Sequence, residues 1–174
     1  MCCRIVASCL LVLAMAGVVA AQPPEMPKPS TEHAYLKKLV GNWDCTMKMM
    51  GMEMKCSHSY EMLGEFWVMG KFEGDFGGMK FYGRDTCGWD PNKKKYVMTW
   101  VDSMSPTLTM LEGTMDASGK TLTTEGMSTN MEGKPCKVKE IVTWKNDDEM
   151  AFTMYEEKAG KMEVNFEISY KRRK

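Results

Sequence analysis

The chain carries no excess of charge of either sign. Its 23 lysines and arginines match 23 aspartates and glutamates, which removes the case for nucleic acid or a strongly charged membrane surface as partner. Histidine is scarce, with only His33 and His58 present. No Gly-x-Ser-x-Gly, His-Glu-x-x-His or phosphate-binding glycine loop occurs, so hydrolytic and metalloprotease chemistry lack support. No nucleophile–base pair can be named, and an enzyme is not expected. The one long apolar run, residues 5–19, is too short for a membrane span. No internal repeat or second domain is visible.

What is present begins with an export pattern. Arg4 precedes the apolar run, and Val19-Ala20-Ala21 supplies the small residues of a cleavage site. Residues 1–21 therefore read as a signal peptide and Gln22 as the first mature residue, in the periplasm or secreted. A lipid anchor at Cys9 is rejected because most of the apolar run follows that cysteine. Residues 22–30, with four prolines, form an extended leader. Residues 31–174 make one domain of a size that sustains its own core. Cleavage leaves Cys45, Cys56, Cys87 and Cys136, and an even count in an oxidising compartment favours disulfides with three pairings open.

Methionine is abundant, at 20 residues, and concentrates between Cys45 and His58. Folded as a hairpin with Met50-Gly51 at the tip, this stretch puts Met49 opposite Met52, Met47 opposite Met54, Cys45 opposite Cys56 and Trp43 opposite His58, all on one face. Asp44, Thr46, Lys48, Glu53, Lys55 and Ser57 fall on the other. A hydrogen-bonded pair has Cα atoms roughly 5.5 Å apart, which permits a Cys45–Cys56 disulfide. Cys87–Cys136 is then the remaining pair. A short helix is predicted over 31–40, with Ser30 or Thr31 as N-cap and Gly41 closing it. Strands are predicted over 42–50, 53–62, 66–73, 78–88, 95–104, 107–115, 120–127, 136–145, 149–156 and 161–171, separated by turn signals. In the last strand Met162, Val164, Phe166, Ile168 and Tyr170 alternate with Glu163, Asn165, Glu167 and Ser169. About ten short strands in sequence favour an all-β, antiparallel up-and-down barrel, whose closure removes exposed edges. A two-sheet sandwich is the alternative.

Gly41-Asn42-Trp43, directly after a short helix, resembles the Gly-x-Trp opening of lipocalin-like (calycin) barrels. In those barrels an Arg of the last strand packs over the Trp. Arg172 continues the inward parity of Tyr170 and is the candidate for that cation–π contact, with Arg173 as fallback. Three longer stretches resemble an exported bacterial family of unknown function, domain of unknown function 1579. They are His33-Ala34-x-Leu36-x-x-Leu39-x-Gly41-x-Trp43, then Gly88-Trp89-Asp90-Pro91 followed by Tyr96-Val97-x-x-Trp100-x-Asp102-Ser103, and residues 113–122. The resemblance spans nearly the whole mature chain and implies a calycin-like barrel; it supplies no catalytic residue.

Two site hypotheses follow. Asp85, Asp102 and Glu140 share parity with apolar neighbours, and with Trp43, His58 and Trp100 they are candidates to orient a small apolar or amphipathic ligand inside the barrel. The competing reading is structural, since buried carboxylates must be paired or sit at a wet rim. The second hypothesis is a soft-metal site, Cu(I) above all, formed by Met47, Met49, Met52, Met54 and His58. Against it stands the use of Met as a flexible core filler throughout the chain. No other cofactor is expected. A haem on His58 is disfavoured because His58 stands beside Trp43, at the end expected to be closed.

Overall fold

The computed structural model describes residues 25–174; the expected signal peptide and the first leader residues lie outside them. One helix and ten strands follow in order: α1 His33–Leu39, β1 Gly41–Met49, β2 Met52–Leu63, β3 Trp67–Phe76, β4 Met79–Asp90, β5 Lys95–Asp102, β6 Ser105–Met115, β7 Thr121–Thr129, β8 Pro135–Asn146, β9 Glu149–Lys158 and β10 Lys161–Arg172. Each strand pairs antiparallel with its sequence neighbour, and β1 pairs with β10 to close the barrel. The up-and-down barrel holds, and the sandwich is excluded by closure. No described helix is long and apolar enough to cross a membrane.

The β1–β2 hairpin sets the pattern. Met50 and Gly51 both take positive φ, 50° and 77°, at the two-residue turn that hairpin twist favours. Trp43 then pairs with His58, Cys45 with Cys56, Met47 with Met54 and Met49 with Met52. Trp43, Cys45 and Met47 are buried while Asp44, Lys48 and Lys55 are exposed.

One end of the barrel is plugged. Tyr35, Leu36 and Leu39 of α1 pack onto Trp43, Tyr96 and Trp144, all of them buried. The Trp43 indole donates to the Leu39 carbonyl at 2.8 Å. Arg172 lies over the Trp43 ring at 4.2 Å and donates to the carbonyls of Val40 (2.6 Å) and Lys38 (2.8 Å). Ring and guanidinium together thus satisfy carbonyls that the end of α1 leaves without partners. Gly41 has φ +125°, and a Cβ there would press on the Arg172 guanidinium, so the glycine of Gly-x-Trp makes room for this lock. Arg173 turns outward to Asp44.

Four expectations need correction. The helix N-cap is Glu32, which makes no side-chain cap bond; Ser30 instead donates its N–H to the His33 Nδ1 at 2.9 Å. Strand β3 runs to Phe76 because Gly74 and Asp75 go on pairing with β4. Alternation in β10 breaks at a bulge between Val164 and Phe166. The extra residue reverses parity before it: Val164 is exposed, and Asn165 donates to the buried Glu156 at 3.0 Å. Finally, all four described cysteines are free thiols. Cys45 and Cys56 are cross-strand partners, yet their sulfurs contact the Trp43 and Met54 carbonyls of their own strands. Cys87 and Cys136 lie in separate core clusters on β4 and β8, with three strands between them, too far around the sheet for a bond.

Candidate functional site

The end opposite α1 is built differently. Met54, Phe76, Phe81, Trp100, Met154 and Phe166 pack onto the core but keep partial solvent exposure, so this end, with no helix over it, is the barrel's mouth. Four of the five turns at this end present exposed methionines: Met50 and Met52, Met79, Met104, and Met131. No turn at the plugged end carries one. The mouth is thus rimmed by flexible, unbranched apolar side chains.

Below the mouth lies a polar floor. His58 on β2 and Asp85 on β4 are 3% and 7% exposed, and the His58 Nε2 lies 2.8 Å from the Asp85 Oδ1. Between them on β3 sits Gly70, the cross-strand partner of both Tyr60 and Asp85. A Cβ at Gly70 would collide with the Asp85 carboxyl, so this glycine is the space into which the pair folds. Tyr60 stacks on the His58 ring with centroids 4.0 Å apart, Phe72 meets it edge-on at 5.3 Å, and Tyr170 stands 6.0 Å away. Glu140 on β8 is buried beside Thr124 of β7. Burial pushes its carboxyl up to about 8, and the negative charge of Asp85 adds to the shift. Burial likewise pushes the Tyr60 and Tyr170 hydroxyls well above their ordinary value, with Asp85 contributing to both.

These groups are not self-sufficient. Among the described residues the buried side-chain nitrogens and oxygens without a hydrogen-bond partner are the His58 Nδ1 on the floor and the Trp144 Nε1 at the plugged end. Among the described residues none donates to or accepts from the Glu140 carboxyl or the Tyr60 and Tyr170 hydroxyls. Buried polar groups in folded proteins are nearly always paired. The unpaired His58 Nδ1, beside a carboxyl and two hydroxyls that no other side chain engages, marks the floor as a place able to meet a ligand.

The sequence candidates divide accordingly. His58, Asp85 and Glu140 converge on the floor. Trp100 lies nearer the mouth, where Phe72 and Phe81 pack against it. Asp102 is not an interior group: it accepts from the Trp100 indole (2.9 Å) and the Met104 N–H (2.8 Å), holding the β5–β6 turn at the rim. Trp43 belongs to the plug. The four hairpin methionines stay together at the mouth, but His58 does not join them. It stands four residues, about 13 Å, along the strand from Met54, and its Nε2 is taken by Asp85. Among the described residues no cluster of three His, Cys, Asp or Glu is arranged to hold a metal. Tyr60, Tyr170 and Gly70 were not anticipated, although Tyr60 shares parity with His58 and Tyr170 with Arg172. Two further depressions, of about 610 and 550 Å³, lie along β1, β2, β8, β9 and β10 and along β5 to β8; the first is lined by Cys45, Cys56, Met150 and Tyr170 as well as by lysines and acids.

A family model described as a protein of unknown function (DUF1579) matches residues 28–172. The chain belongs to the DUF1579 family. No curated protein matches it. Among solved structures, the DUF1579 barrel is similar to Rv2717c from M. tuberculosis, with a TM-score of 0.62, 10% identity, and coverage of 84% of this chain and 100% of that one. It is also similar to the S-type phycobiliprotein lyase CPES from Guillardia theta, with a TM-score of 0.57, 12% identity, and coverage of 83% and 94%. Both likenesses are of fold alone.

Proposed function

We propose that this DUF1579 barrel binds a small amphipathic molecule, with its apolar body among the mouth aromatics and its polar group on the His58–Glu140 floor. The observation that carries this reading is the buried His58 Nδ1 without a partner, held by the Asp85 contact and facing the same interior as Glu140, Tyr60 and Tyr170. A buried nitrogen left unmet costs about 1–3 kcal/mol. A ligand that meets it recovers that cost, and burial of its apolar part adds about 25 cal/mol per Å². With residues 1–21 read as an export signal, binding takes place outside the cytoplasm. Native mass spectrometry of protein purified gently from its own host is expected to show a bound small molecule, lost on His58→Leu. Wild-type protein that carries no added mass, with only water ordered on the floor in a crystal, would overturn the proposal.

The hairpin register supports a second reading. Met47 and Met54 pair on one rung and Met49 and Met52 on the next, on the same face; Met47 is buried, while the other three keep some solvent exposure. Neutral thioethers suit Cu(I) and need no deprotonation to bind it. Titration against a competing Cu(I) chelator is expected to show binding that the Met47/Met49/Met52/Met54→Leu variant loses. Equal competition by both proteins would end this reading.

A further inference from the structure

Charge inside the barrel is one-sided. Among the described residues the buried acids and bases are Asp85, Glu140, Glu156, His33 and His58, with no lysine or arginine. His33 belongs to the helix end, where Ser30 holds it. Arg172 is engaged at the plug by Trp43, by the Lys38, Val40 and Asp147 carbonyls and by the Asp148 carboxylate at 3.3 Å. Asp102 adds another carboxylate at the mouth. A carboxylate- or phosphate-headed amphiphile would therefore bring like charge into a poorly solvated space with no counter-ion.

An ammonium head meets the opposite situation. Resting on the binding role proposed above, we infer that the ligand is a cationic amphiphile, an apolar body with a protonated amine seated between Glu140, Asp85 and His58. With Asp85 as the carboxylate, the His58 Nε2 donates its proton to it, and the free Nδ1 lone pair accepts an N–H from the ligand. The Tyr170 ring, 6.0 Å from His58, adds an aromatic wall to the same space. Glu140, neutral while the site is empty, ionises against the ammonium. Its O–H bond breaks, the electron pair stays on the carboxylate, the proton leaves to solvent, and the ammonium keeps its own protons.

A matched series of decylammonium, decanol and decanoate, each below its micelle concentration, tests this on the purified protein by calorimetry in two buffers of different ionisation enthalpy. Decylammonium is expected to bind at least tenfold more tightly than decanol, with decanoate not binding measurably. Close to one proton should be released per ammonium bound at pH 7, and this release should vanish in Glu140→Gln. If that variant unfolds, loss of the ammonium preference in Asp85→Asn carries the same test. Equal binding of all three would overturn the cationic class and leave the binding role standing. Tightest binding of decanoate would also overturn it, making a His58 imidazolium the anchor. Absence of binding by any of the three would overturn the binding role itself.

Discussion

Raising the pH from 5 to 8.5 should weaken the wild-type fold by about 3–5 kcal/mol more than it weakens Glu140→Gln. The folded carboxyl titrates at about 8 because burial disfavours its charged form, and Asp85 adds to the effect. Unfolded, it returns to the usual range near 4.5. Between those values the folded state holds a proton that the unfolded state has released, so stability falls as pH rises through the window. Below about 4.5 both states are protonated, and no penalty arises. The other titratable groups facing Glu140 are Tyr35 from α1, Cys87 from β4 and Tyr170 from β10. Burial pushes each of these up, so they keep their protons across the interval. Urea unfolding of both proteins at half-unit steps measures the difference directly. Parallel curves would mean that the Glu140 carboxyl is solvated or partnered in the folded state. At low pH the variant should also stay within about 1–2 kcal/mol of wild type, since an amide replaces an acid that already lacks partners.

How far the sequence revealed this site depends on which relation is asked for. Which face a residue takes is local, and period two shows it. The hairpin from Trp43 to His58 was legible because a Met-Gly tip fixes its register and lysines mark its outer face. Arg172 was placed over Trp43 by counting parity from Tyr170. The same count taken from Met162 crosses the bulge before Phe166, and there it puts Val164 and Asn165 on the wrong faces. Nothing in that stretch announces the extra residue. Relations across the barrel were not legible. Asp85 and Glu140 both lie on inner faces, but that Asp85 reaches His58 over Gly70 of the intervening β3, while Glu140 finds no such partner, depends on the register of three strands at once. Gly70 likewise makes sense only once Asp85 is seen folded over it. The methionine rim has the same origin. Met50, Met79, Met104 and Met131 lie in or directly after alternate turns, and only an up-and-down topology sends alternate turns to one end. A register that permits a Cys45–Cys56 bond is likewise not the bond; the thiols stand opposite each other and remain free.

Trp43→Ala should cost about 3–5 kcal/mol, the range for removing a large aromatic from a packed core. The ring is 0% exposed, meets Trp144 at 5.8 Å and Tyr170 at 6.4 Å, and bonds the last turn of α1 through its indole. Its loss also strips Arg172 of the face it stacks on, while that guanidinium still reaches the Lys38, Val40 and Asp147 carbonyls. Arg172→Lys isolates this second part. A lysine keeps the charge but cannot span several carbonyls with one compact ammonium, so a smaller loss of about 1–2 kcal/mol is expected. Because ring and guanidinium support each other, the double variant should lose less than the two singles combined. Chemical unfolding of all four proteins gives the coupling. Strict additivity would show that Trp43 and Arg172 close the barrel independently. A cost below about 1 kcal/mol for Trp43→Ala would show that α1 and Trp144 plug that end without it.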